Sequence, residues 1–61
     1  MNKKEWQNNL ISEMRDLIRL GVNIPLKAFK LAEKADPKNF VGMSETEVVD
    51  ALIFSAMSER N

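Results

Sequence analysis

Ser12, Thr46, Ser55 and Ser58 carry hydroxyls that a nucleophilic mechanism would draw on, and Glu45 and Glu47 carry carboxylates that acid–base chemistry would use. Their surroundings in the sequence do not equip them for it. The 61 residues include no histidine, cysteine or tyrosine, so no imidazole is present to activate a hydroxyl. A Ser–Lys pair is the remaining arrangement, and three short helices enclose little water-free volume for one. Glu45 and Glu47 stand two apart on a helix and so do not face each other. Without cysteine there is neither a disulfide framework nor thiol redox chemistry, and without histidine as well the usual zinc and transition-metal ligands are gone. No glycine-rich loop is present to cradle a phosphate. The expectation is a non-catalytic protein with no cofactor and no metal.

Binding is the alternative to catalysis, and charge bears on it. Nine basic and nine acidic side chains cancel overall, but unevenly along the chain. Residues 1–22 carry four basic and three acidic groups (+1), residues 23–38 four lysines against Glu33 and Asp36 (+2), and residues 44–61 four acids against Arg60 (−3). Lys27, Lys30 and Lys34 fall on one flank of a helix, with Lys38 just beyond it. They are candidate contacts for phosphate or an acidic partner, although a few lysines without arginine or interleaved aromatics also describe an ordinary solvated face.

The elements that must position these groups read as an all-α, three-helix bundle in a single domain over residues 1–61, with helices at about 3–20, 24–35 and 44–59. A chain this short is near the lower limit for a core that folds without covalent or metal staples. Its hydrophobic fraction of 44%, with two prolines and two glycines, suits a packed helical domain. In the first helix Trp6, Leu10, Ile11, Met14, Leu17 and Ile18 form one stripe at helical spacing. Asn2 is its expected N-cap, with a Met1–Trp6 staple, and Gly21 followed by Val22 marks a Schellman-type end. The second helix is expected to start from Asn23 as N-cap, with Pro25 in the first turn. It should stop at Asp36-Pro37, because a residue before proline is pushed out of the helical region. Ile24, Ala28, Leu31, Ala32 and Ala35 form its core face, with Leu26 and Phe29 at the margin.

Asp36 is then expected to cap a short turn from Pro37, with Phe40 and Val41 anchoring the connection before Gly42 breaks it. Ser44-Glu45-Thr46-Glu47 is a capping box, flanked by Met43 and Val48 as a hydrophobic staple. Glu45 and Glu47 in the first turn and Arg60 near the end complement the helix dipole. Val48, Val49, Leu52, Ile53, Ala56 and Met57 make a wide inner face, and Phe54 and Ala51 point the other way. No apolar run reaches the roughly 18 residues that would span a bilayer, and no apolar segment follows Lys3 and Lys4 as a leader would require. The first helix has Lys3, Lys4 and Trp6 beside its stripe, but Glu5, Glu13 and Asp16 share its polar face, which fits a bundle better than a membrane surface. A cytoplasmic location is expected.

Gly42-Met43-Ser44, followed by Val48 and Ala51-Leu52, also matches the second half of a helix-turn-helix. Pro37 would fall inside the preceding helix, and Glu45, Glu47 and Asp50 would face the DNA phosphates that such a helix must approach. A nucleic-acid-binding regulator with a degenerate helix-turn-helix is therefore the second reading, and nucleic acid the disfavoured partner.

Asn23-Ile24-Pro25, Ala28, Leu31, Ala32, Pro37, Asn39 and Phe40, with Asp16-Leu17 and Gly21-Val22 before them, resemble the middle of the theta-type accessory subunits of bacterial DNA polymerase III. The resemblance covers residues 23–40, about a third of the chain, with a one-residue shift. It lacks that family's stretch between the Gly-Val and Asn-Ile-Pro segments. It implies a small three-helix protein that binds a proofreading exonuclease subunit, and it assigns no individual functional residue here.

What exceeds the needs of so small a core is apolar surface. Phe54 is the expected anchor of a protein-binding face, with Ala51, Met57, Leu26 and Phe29 beside it and the acids Asp50 and Glu47 at its rim. The expected role is a protein–protein interaction module (accessory subunit, inhibitor or adaptor) whose partner is another protein or a second copy in a homodimer. The competing expectation is that Phe54 tucks beneath the 36–43 connection and completes the core.

Overall fold

A computed structural model describes residues 2–58. The chain is all-α, with α1 at Lys3–Arg19, α2 at Leu26–Lys34, a single 3-10 turn at Pro37–Phe40 and α3 at Glu45–Ser58. The three helices pack as a bundle on one shared core. Glu59 and Arg60, the expected end of the third helix and its dipole partner, and Met1 of the expected staple lie outside the described residues.

Local chemistry sets most boundaries. The Asn2 side chain accepts from the Glu5 amide at 2.7 Å, which satisfies one of the free donors of the first turn. At the other end of α1, Gly21 adopts φ +96°, a region that costs a residue with a Cβ. The Gly21 amide donates to Ile18 and the Val22 amide to Leu17, each at 3.0 Å, which is the Schellman pair. The third helix opens on the expected box: the Ser44 amide donates to Glu47 Oε1 at 2.8 Å and the Glu47 amide to Ser44 Oγ at 3.3 Å.

The start of α2 departs from expectation. Asn23 is not its N-cap; Pro25 holds that position in an extended conformation, with no side-chain cap, and its carbonyl accepts from the Ala28 amide at 3.0 Å. The cause is the restriction on the residue before proline, which keeps Ile24 extended and delays the helix to Leu26. The same restriction acts at Asp36-Pro37, where the Asp36 carboxylate accepts from the Lys38 amide at 3.0 Å and caps the 3-10 turn.

The core consists of Leu10 and Met14 from α1, Ile24, Ala28 and Ala32 from the α2 region, and Val48, Val49, Leu52 and Ala56 from α3. Alanines on α2 remove the bulk that would hold α3 away. Trp6, Ile11, Leu17, Phe29, Leu31, Phe40 and Ile53 pack around this centre. Three residues expected inside are outside. Ile18 is exposed at the end of the α1 stripe, Val41 is 83% exposed and anchors nothing, and Met57 lies open near the end of α3. In the connection, Phe40 alone turns inward, and its ring stacks on Trp6 with centroids 5.9 Å apart. Beside that pair, Gln7 Nε2 donates to the Ala35 carbonyl at 2.7 Å and ties the start of α1 to the end of α2.

Candidate protein-interaction surface

The surface is built on α3, whose sequence changes character halfway. Glu45, Thr46, Glu47 and Asp50 make the first half polar on its outer side, whereas residues 51–57 (Ala-Leu-Ile-Phe-Ser-Ala-Met) contain no charged side chain. At 3.6 residues per turn, Val48, Val49, Leu52 and Ala56 share one line, and all four are buried. Phe54 falls on the opposite line and is 73% exposed; Met57, one turn on, is 72% exposed. Asp50 precedes Phe54 by four residues and Glu47 by seven, so both acids stand on the same outer line and both are exposed. A helix that is apolar on both sides is ordinarily buried on both sides. Here the described residues cover only one side.

Phe54 does not tuck beneath the 36–43 connection but stands exposed, and the ring that turns inward from that connection is Phe40, on Trp6. The remaining candidate residues divide. Ala51 is half-buried and borders the patch rather than facing fully outward. Leu26 and Phe29, both expected at the margin of α2, separate: Phe29 packs against the core and Leu26 is 80% exposed in the first turn. By the helical period Leu26 falls on the line of Lys30 and Lys34, opposite Ala28 and Ala32, whereas Phe29 lies nearer the core edge.

The lysine flank is present as a surface. Lys30, Lys34 and Lys38 are exposed and Lys27 is half-buried. Lys38 also lines a shallow, open depression with Lys3, Asp36, Pro37 and Val41. Spacing does not reveal this depression, because Lys3 arrives there only through the α1–α2 packing. The helix-turn-helix geometry does not form. The segment before Gly42 is one 3-10 turn, and α2 ends at Lys34, well short of Glu45, where a helix-turn-helix would leave a turn of about three or four residues.

Among the described residues no cluster of carboxylates is arranged to hold a metal ion, and no helix is long and apolar enough to cross a membrane. The ion pair of Arg19 with Asp16 at 3.3 Å is exposed and of little energetic weight. The fold and the surface thus define a small all-α protein with an unpartnered, acid-rimmed apolar helix face. A scan against protein-family models and searches of curated proteins and of solved structures return no match.

Proposed function

We infer that the chain is a non-catalytic protein–protein interaction module, an accessory subunit, inhibitor or adaptor, that binds through the outer face of α3. One observation carries the reading: Phe54 and Met57 are each nearly three-quarters exposed on the side of α3 opposite its buried line. Placing a phenylalanine in water forgoes about 1.5–3 kcal/mol that burial would return. Large exposed aromatic and thioether side chains next to one another are the composition of interface centres, and carboxylates such as Asp50 and Glu47 that of their rims. An accessory subunit of the theta type is the narrower form of the same reading, supported by residues 23–40 alone.

The test is quantitative capture from the native host with wild type, Phe54→Ser and Met57→Ser, each first shown to be helical by circular dichroism. The reading expects a partner, either another protein or the chain itself, that wild type retains and both variants lose. Identical captured sets for all three folded proteins would refute it.

A further inference from the structure

The outer lines of α2 and α3 are complementary to each other in order and in sign. Along α2 the exposed line runs Leu26, Lys30, Lys34, apolar and then basic; along α3 it runs Glu47, Asp50, Phe54, Met57, acidic and then apolar. With a rise of 1.5 Å per residue, Lys30 and Lys34 stand about 6 and 12 Å from Leu26, while Asp50 and Glu47 stand about 6 and 10.5 Å from Phe54. Laid antiparallel, an α2 line and an α3 line therefore set Leu26 against Phe54, Lys30 against Asp50 and Lys34 against Glu47 in one register. Within the described chain Lys30, Lys34 and Asp50 form no ion pair with one another or with any other described residue.

We propose that the occupant of the α3 face is a second copy of this chain, bound with its α2 line antiparallel to α3. The inference rests on the reading of α3 as an interaction surface and names the partner. Two features favour self-association over a foreign partner. The formal net charge is zero, so two copies meet without overall repulsion, while the +2 segment of one offers its lysines to the −3 segment of the other. Pairing like with like fails: an antiparallel α3–α3 contact along the whole line sets Asp50 and Glu47 against the Phe54 and Met57 side chains, and an α2–α2 contact sets lysines against leucine. A standard recognition patch of about 800 Å² per partner is about a sixth of the 4583 Å² accessible surface, within reach of two helix faces. The two lines both face away from the shared core, so the contact is heterologous, the α2 line of one copy lying on the α3 line of the next.

Sedimentation equilibrium on the whole chain tests this. Wild type is expected to rise above its 7.0 kDa mass, through twice that value, with rising concentration. Lys30→Glu and Asp50→Lys should each raise the dissociation constant about tenfold or more, because each sets like charges face to face. The double variant Lys30→Glu with Asp50→Lys should recover association, and Leu26→Ser should weaken it without charge change. All three positions are exposed, and circular dichroism confirms that each variant is folded before it is weighed. A monomer at every concentration, or single reversals without effect, or a double variant no tighter than the singles overturns the proposal. If wild type is monomeric but Phe54→Ser still loses a captured foreign protein, the second copy is wrong and the interaction reading stands; if Phe54→Ser changes neither mass nor capture, both are wrong.

Discussion

Two aromatic sites in this chain meet opposite fates. At one end, Trp6 and Phe40 stack at 5.9 Å, and Gln7 reaches the Ala35 carbonyl beside them, so rings and polar groups from α1, α2 and the connection satisfy one another. On the outer side of α3, Phe54 has neither a ring nor a loop above it and stands 73% exposed. The difference lies in the connections. Asp36-Pro37 stops α2 and starts a 3-10 turn that carries Phe40 back over Trp6. Nothing in the described chain doubles back over α3. Closure at the first site is what a small core needs to fold, and the opening at the second is what a partner needs to bind.

The comparison can be broken or sharpened by substitution. The largest effect belongs to the core that both sites share: Val49 is fully buried, and Val49→Asp should abolish the cooperative melt, because an unpaired carboxylate there costs more than the roughly 3–5 kcal/mol that a core of this size supplies. Far-UV circular dichroism against temperature reads that loss directly. Trp6→Ala attacks the closed site and should lower stability by about 2 kcal/mol in urea unfolding, since the ring is half-buried and loses its stack on Phe40. Ser44→Ala removes half of the box that starts α3 and should cost about 1 kcal/mol, read as a lower urea midpoint at unchanged slope. Gln7→Ala should cost a similar amount, about 1 kcal/mol, by leaving the Ala35 carbonyl without its donor.

The features legible in the sequence are those set by neighbours within a turn. Asn2, Gly21 and the Ser44–Glu47 box are read correctly because the donor and acceptor lie three to five residues apart and need no tertiary information. The outward direction of Phe54 is equally legible, since it follows from the buried line of Val48, Val49, Leu52 and Ala56 and the helical period. Asn23 misleads because two local preferences compete: an asparagine suited to capping sits two residues before a proline that forbids Ile24 the helical region. The separation of Leu26 from Phe29, one out and one in, follows from the helical period alone. Val41 misleads for another reason. Phe40 and Val41 are both apolar, and only the 3-10 turn decides which of them faces Trp6. The Gln7–Ala35 bond spans 28 positions and has no local signature.

Thermal unfolding of Phe54→Ser beside wild type, at a concentration low enough to keep any association dissociated, tests most directly that Phe54 serves a partner and not the fold. The two should melt within about 3 °C of each other, as expected for a change of no more than about 0.5 kcal/mol at an open position. A fall of about 8 °C or more, the mark of a lost core side chain, would contradict it.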